Sequence, residues 1–394
     1  MADPTFTALV WVTHLLGTGH LFRTAAIVRA LRRRDVRVVV ASGGMAVGGV
    51  DFADAELMQI PAVRSPDATF RSLVDADGEP IGEQFLGRRA ALLSELLSRT
   101  RPDVILTELY PFGRRKFRLE VDGMLEEAKS MTPRPLVASS IRDILEPPTT
   151  EAQVAFAVTR LHDSYDMVLI HGDPDFVALD RTFPLPEALG HLSRYTGYIG
   201  GAGERAGGVG RPDGAGEIVV SAGGGVVGQA LYDAAVEASA LPTCQRRPWR
   251  VLVGRNAGTA TFDRLAAAAG GNVTVEWARP DFPALLHRAA VSVSQAGYNT
   301  AADLLDAAVP AVLVPFADGG EQEQTIRAQV MAEAGRAAVL KTEDLSASRL
   351  AAAVTAALAL SPGAMRPVAM NGAERSADII LQATRQRASS HGRR

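Results

Sequence analysis

The sequence predicts an α/β protein built from two Rossmann-like domains, and three observations predict it. The chain has 394 residues, more than one hydrophobic core ordinarily serves. Short apolar runs alternating with helical periodicity begin at Ala8 and begin again at Glu217, the pattern of parallel βαβ units. Between the two series lies Gly200 to Gly216, GGAGERAGGVGRPDGAG, whose composition reads as a flexible linker. The expected division is a first domain at residues 1–200, a linker at 201–216, a second domain at 217–362, a helix within 363–385 and a disordered tail at 386–394.

Composition narrows the function classes. Hydrophobic residues make up 47% of the chain and charged residues 22%, as in a soluble globular protein. A formal net charge of −3 argues against nucleic-acid binding through bulk charge. Basic residues are nearly all arginine, with lysine only at 116, 129 and 341, which reads as genome composition and not as a phosphate-binding device. Cys244 is the single cysteine, so an intrachain disulfide and a cysteine metal cluster are excluded. No basic-then-apolar leader precedes the first strand, and no apolar run is long enough to span a bilayer. A cytoplasmic protein is expected.

In the first half, Ala8 to Thr13 is a strand, His14 to His20 (HLLGTGH) the loop after it, and Ile27, Ala30 and Leu31 mark a helix before a second strand at Val36 to Ala41. G-T-G-H is not G-x-G-x-x-G, and no acidic residue closes the second strand, so a dinucleotide fingerprint is rejected. Gly17 and Gly19 permit a tight turn and close approach of a ligand to the backbone. They place His14 and His20 beside the site, His20 at a helix N-terminus, where the dipole disfavours imidazolium and keeps the ring a proton acceptor. Residues 43–100 read as irregular, punctuated by Gly48, Gly49, Pro61, Pro66 and Pro80, until helical spacing returns at Ala90 to Leu97. Asp103 to Thr107, Leu136 to Ser140 and Asp166 to Ile170 are further strands. They run into Glu108 and Arg114, into Arg142 and Asp143, and into His171, polar groups gathered at the carboxyl edge of a sheet, where ligands bind. Asp173-Pro174-Asp175 matches a metal-binding D-x-D pattern only superficially; with proline between the carboxylates it reads as turn chemistry.

In the second half, the strand Glu217 to Val220 leads through Ser221 to a triple glycine at 223–225, suited to close approach of phosphate oxygens to backbone N–H groups. Arg250 to Gly254 is a strand with Arg255 beyond it, and Val273 to Trp277 is another. Val291 to Ser294 precedes the turn Gln295-Ala296-Gly297, and from Asn299 a helix carries Ala301, Leu304, Leu305 and Ala308 on one face. A helix that starts at a glycine, with Ser294, Asn299 and Thr300 around it, offers free N–H groups and its positive dipole end to an anion. Asp303, one turn further in, suits ribose hydroxyls. Gln324, with Glu321 and Glu323 nearby, suits the hydroxyls of a sugar. The residues together fit a nucleoside diphosphate sugar; an ordinary helix cap with a solvated Asp303 fits the pattern as well.

Ser294 to Thr300 (SQAGYNT) and Glu323 to Ala328 (EQTIRA) resemble the donor-binding signature of GT-B glycosyltransferases. The nearest likeness is to the MurG-type N-acetylglucosaminyltransferases and to a related set of bacterial predicted glycosyltransferases. It extends over most of the chain: the G-T-G-H turn is similar to the family's G-T-G-G-H with one glycine fewer, and Thr107 to Arg114 (TELYPFGR) resembles T-E-x-x-P-F-G-R. The resemblance implies a GT-B fold, two domains facing across a cleft, with the last helix crossing back to the first. It implies donor contacts at Ser221, Gly223, Gly224, Arg255, Trp277, Ser294, Gln295, Gly297, Asn299, Thr300, Asp303, Glu323 and Gln324. Asp303 stands where MurG-type enzymes carry a ribose-binding Glu, and Glu323 replaces the first of two adjacent glutamines. His20 becomes the general base and Glu108 the group that orients it. His14, Gly17, Gly19, Arg114, Arg142, Asp143 and His171 form the acceptor side.

The implied reaction is an inverting, metal-independent transfer from a UDP-sugar to a hydroxyl of a cell-surface or secondary-metabolite acceptor. It needs no cofactor and no nucleic acid, and is compatible with peripheral membrane contact. Amides at Gly223 and Gly297, with Arg255, would stabilise the departing diphosphate, and closure about the linker would exclude water. A nucleotide-sugar 2-epimerase of the same fold and a non-catalytic nucleotide-sugar sensor are the alternatives.

Overall fold

A computed structural model describes residues 6–67, 70, 72–200, 213–222, 228–316 and 321–390. The chain divides into two units, residues 1–199 with 371–394, and residues 200–370. The first contains β1 (Phe6–Val12), α1 (Gly19–Arg32), β2 (Val36–Gly44), β3 (Glu56–Val63), α2 (Glu83–Thr100), β4 (Val104–Glu108), α3 (Arg118–Lys129), β5 (Leu136–Arg142), α4 (Glu151–Ser164), β6 (Met167–His171) and β7 (Ser193–Tyr195). Its seven-stranded sheet has the order β3-β2-β1-β4-β5-β6-β7, and every pairing is parallel. β4 and β6 are buried along their whole length, as apolar strands are when helices cover both faces. Alternation splits the core in two. Leu9 and Trp11 join Leu93, Val121 and Leu161 on one face, while Val10 and Val12 join Ile27 and Leu31 on the other.

The second unit runs β8 (Ile218–Ser221), α5 (Gln229–Ser239), β9 (Trp249–Val253), α6 (Thr259–Ala268), β10 (Val273–Trp277), α7 (Phe282–Leu286), β11 (Val291–Ser294), α8 (Tyr298–Ala307), β12 (Ala311–Leu313), α9 (Glu323–Glu333), β13 (Ala337–Val339) and α10 (Ala347–Ala357). Its six-stranded sheet has the order β10-β9-β8-β11-β12-β13, again parallel throughout.

The structure departs from the sequence reading at four places. The stretch read as irregular contains β3 and a helix that begins at Glu83. β3 is an edge strand carrying Gln59 and Pro61, so it lacks the apolar signature of a central strand, and proline is tolerated where no outer strand needs its N–H. β2 continues through Ser42, Gly43 and Gly44; a Cβ on Gly43 would lie 2.3 Å from Thr13 Oγ1, and one on Gly44 2.3 Å from His14 Nδ1. The last helix, α11 (Gly372–Ser390), is ordered past the boundary expected for a tail. Arg387 fixes its end by donating to Asp166 Oδ1 at 2.6 Å and to the Pro135 carbonyl at 2.8 Å. Finally, the glycine-rich stretch falls outside the described residues at 201–212, but its end is fastened: Asp213 pairs with Arg279 at 3.2 Å, and Gly214 and Gly216 take positive φ.

α11 packs with α1 in the first unit. Ile380 and Leu381 share a cluster with Ile27 and Leu31, and Arg34 bonds Glu374 at 2.6 Å and Asp378 at 2.7 Å.

Candidate active site

Each sheet has one point where consecutive connections leave in opposite directions, and a doubly wound sheet binds ligands beyond its carboxyl edge there. In the first unit that point lies between β1 and β4, so the loops holding His20 and Glu108 are neighbours. In the second it lies between β8 and β11, where Ser221 and Ser294 are register partners.

At the first switch point the side chains form a directed chain. His20, in the first turn of α1, places Nδ1 2.9 Å from Glu108 Oε1, and Arg23 one turn on pairs with the same oxygen. Ser140 donates to Glu108 Oε2 at 2.7 Å; its hydroxyl lies 2.8 Å from His171 Nε2, and His171 Nδ1 lies 2.9 Å from Thr196 Oγ1. Burial works against the charge on Glu108, but Arg23 and the bonds from His20 and Ser140 outweigh it and hold the carboxyl at about 2. An ionised carboxylate only accepts, so His20 donates through Nδ1, and its Nε2 carries the lone pair. The same logic lets His171 donate through Nε2 to Ser140, and Ser140 to Glu108. Burial, aided by the charges of Arg114 and Arg23, lowers His20 to about 3 against the pull of Glu108. Its ring is therefore neutral at physiological pH, and 13% of the side chain remains exposed.

A second buried group frames this loop. Arg89, fully enclosed, donates to both oxygens of Glu120 at 2.7 Å, to the Gly43 carbonyl at 3.0 Å and to Thr13 Oγ1 at 3.2 Å. The ends of β1 and β2 are thereby tied to α2 and α3. Arg114 donates to the Thr13 carbonyl at 2.7 Å; burial and the nearby Arg142 lower its guanidinium to about 10.

Several acceptor-side expectations are corrected. His171 is enclosed, bonded on both ring nitrogens, and offers an acceptor no surface. Asp143 is also buried, accepting from the Ile144 N–H at 2.7 Å and the Tyr198 hydroxyl at 2.8 Å, so it braces its own loop. His14 is buried as well, with Nδ1 lacking a hydrogen-bond partner among the described residues and with its basicity lowered by burial and by Arg114. Arg142 is half-buried at the end of β5. Gly17 is exposed with nothing within 4 Å of a Cβ, and neither it nor Gly19 has positive φ, so open approach and not backbone strain distinguishes this turn. Asp173 Oδ1 accepts from the Asp175 N–H at 3.0 Å, a local turn. Among the described residues no group of three or more His, Cys, Asp or Glu is placed to hold a metal ion.

The second switch point is built from backbone. α8 opens at Gly297 with no side-chain cap, and a Cβ there would meet none of the described residues within 4 Å. Its first turn, with Asn299 and Thr300 half-buried, thus carries N–H groups that no side chain caps among the described residues. α9 fixes the preceding turn. Gln324 Oε1 accepts from the Ala296 and Phe316 N–H groups, both at 3.1 Å, and Arg327 donates to the Ala296 carbonyl at 3.0 Å. Gln324 therefore commits its carbonyl to the loops. Glu323 is buried and pairs with Arg327 at 2.8 Å.

Ser294 is enclosed, its hydroxyl without a partner among the described residues, and Ser221 is buried beside it. Gln295 and Asp303 are half-buried at the loop and on α8. Trp277 stacks on Phe262 (centroids 4.5 Å apart, planes at 17°) with the exposed Arg255 5.9 Å from its ring centroid. Gly223 and Gly224 lie outside the described residues.

Arg23, Ser140, Thr196, Arg89 and Arg327 were not singled out by sequence reasoning. Arg23 had a signal, being three residues after His20 and so on the same helix face. Ser140, Thr196 and Arg89 had none, because their partners are distant in sequence.

Comparison with known proteins agrees with this geometry. Residues 224–382 match the glycosyltransferase family 28 C-terminal domain. A UDP-N-acetylglucosamine–N-acetylmuramyl-(pentapeptide) pyrophosphoryl-undecaprenol N-acetylglucosamine transferase of Paracidovorax citrulli is 34% identical over 132 residues, covering 33% of this chain and 36% of the relative. The protein of the same name from Thiobacillus denitrificans is 28% identical over 373 residues, covering 92% of this chain and 94% of its own. In the more identical relatives the match spans about a third of their length. A solved structure, the glycotransferase of kitacinnamycin, superposes with a TM-score of 0.64 at 20% identity, covering 98% of this chain and 96% of that one. The fold is that of the GT-B glycosyltransferases. Among the described residues no helix is long and apolar enough to cross a membrane.

Proposed function

We propose that this chain, a MurG-like GT-B protein with a family 28 C-terminal domain, transfers a sugar from a nucleoside diphosphate to an acceptor hydroxyl, with inversion and without a metal. The single observation that carries the reading is the His20–Glu108 pair at the first switch point: a neutral, partly exposed imidazole oriented through Nδ1 by an ionised carboxylate. Nε2 takes the acceptor's proton as its oxygen attacks the anomeric carbon. The bond from that carbon to the diphosphate breaks, and the diphosphate leaves with its charge. His20 is assigned the base in preference to His14 because His14 is buried and has no carboxylate on its ring.

UDP is the nucleotide favoured by the relatives' names, which specify UDP-N-acetylglucosamine. The acceptor is an alcohol of either a lipid-linked or a small-molecule type. Full-length protein is incubated with UDP-sugars, with and without panels of both acceptor types, and free UDP and sugar products are measured. UDP release that depends on acceptor, with a glycosylated product of inverted anomeric configuration, is expected. Formation of a C2 epimer from donor alone, or retention of configuration, overturns the reading.

A further inference from the structure

We propose that Arg23 is a positioning residue that sets the protonation state of His20: by sharing the carboxylate oxygen that the ring uses, it leaves Glu108 able to orient the imidazole but unable to charge it. The proposal rests on the reading of His20 as the base.

A carboxylate hydrogen-bonded to an imidazole ordinarily stabilises imidazolium and raises the ring's proton affinity by about one to three pH units. Here the carboxylate is already paired. Arg23 and His20 are one turn apart on α1 and both reach Oε1 of Glu108. Arg23 is buried, so its guanidinium faces Glu108 with little solvent between them. Seen from the ring, Glu108 and Arg23 form a nearly neutral pair. Arg23 Nη2 also lies 3.1 Å from His20 Nδ1, where it opposes positive charge on the ring directly.

The charged groups acting on His20 are Arg23 from its own helix, Glu108 from β4, and Arg114 from the loop after β4. Ser140 from β5 and His171 from β6 stand behind Glu108, and their bonds supply no opposing charge. Two cations thus face the ring against one carboxylate, which agrees with the direction in which its proton affinity is displaced. The arrangement separates two tasks that one carboxylate ordinarily performs together, fixing the tautomer and raising the basicity.

The test uses full-length protein with labelled histidine, followed by NMR from about pH 8 to about pH 4, around the ordinary imidazole range. The His20 signal is assigned by its loss in His20→Gln. In the wild type and in Arg23→Lys, which keeps the charge, the ring is expected to stay neutral across the range. In Arg23→Gln the midpoint rises by about one to two pH units or more, so protonation enters the acid end of that range, and the acid limb of kcat/KM moves with it. The double variant Arg23→Gln/Glu108→Gln covers the case in which the single variant does not fold; its ring is expected to stay neutral across the range as in the wild type, since a balanced pair has been removed. A ring that stays neutral throughout in Arg23→Gln, or one that titrates within the range in Arg23→Lys or in the double variant, overturns the proposal. The NMR readout needs no turnover. A midpoint that shifts as expected in protein that never transfers sugar overturns the transferase reading instead, and leaves the charge balance standing.

Discussion

The two units obey one topological rule and answer it with different chemistry. At the switch point of the first, the groups that matter are side chains drawn from α1, β4, β5 and β6, with Glu108 as the common acceptor of bonds from His20, Arg23 and Ser140. At the switch point of the second, the groups that matter are backbone amides at an uncapped helix start, held by Gln324 and Arg327 from behind. Moving a proton requires a titratable atom at a fixed position, hence a buried charged network. Receiving a diphosphate requires several donors at once and no titration, which a helix N-terminus supplies. The comparison therefore predicts that damage to the first unit's site appears in turnover, and damage to the second's in donor affinity.

The largest effect should come from the titratable atom itself. His20→Gln is expected to lower kcat by about 10²–10⁴ while thermal unfolding stays close to wild type, since the ring is partly exposed; steady-state kinetics beside a melting curve checks both. Turnover near wild type breaks the comparison at its first term.

Next in size is the brace of the second site. Arg327→Met removes the bond to the Ala296 carbonyl and leaves buried Glu323 without its ion pair, at an expected cost of about 3 kcal/mol in denaturant unfolding. Donor binding should weaken as the turn before α8 loosens, and a stability loss without weaker binding separates the brace from the site.

Acid sensitivity distinguishes the units further. Burial keeps both His20 and His171 at about 3, against about 6.5 in an unfolded chain. His14 is lowered as well, so below about pH 6.5 the unfolded chain binds more protons than the folded one, and stability falls as pH is lowered through that window. Urea unfolding over a pH series should show this slope, and His171→Asn should reduce it. A slope that His171→Asn leaves unchanged contradicts the enclosed, neutral ring.

The smallest effect tests the assignment of the last helix to the first unit. Arg387→Ala removes bonds to Asp166 and to the Pro135 carbonyl at a partly exposed site, worth about 1 kcal/mol or less. Faster amide exchange confined to the end of α11 is the expected signature.

The difference between the units also explains what the sequence disclosed. The local structure at the second switch point was legible because its parts are contiguous: the turn, the glycine and the helix start occupy Gln295 to Thr300, and α9 follows within 30 residues. The place of His20 at a helix start was legible for the same local reason. The network beneath it was not, because Ser140, His171 and Thr196 meet Glu108 only after three parallel crossovers, and no local pattern encodes that contact. His171 and Asp143 were read as ligand contacts because they follow strand ends, yet both turn inward to satisfy buried hydrogen bonds. β3 was missed because an edge strand has one neighbour and a weak apolar pattern. The resemblance to glycosyltransferases named Glu323 a donor contact, and did not disclose its ion pair with Arg327.

The most direct test is a crossed one: calorimetric titration of UDP into wild type, Gly297→Val and His20→Gln. Gly297 has φ −63° and ψ 152°, a conformation valine adopts freely, with none of the described residues within 4 Å of where its Cβ would lie. The account predicts that Gly297→Val folds normally and binds UDP at least about tenfold more weakly, about 1.4 kcal/mol, while His20→Gln binds UDP as the wild type does. UDP affinity unchanged in Gly297→Val, or lost in His20→Gln, would contradict it.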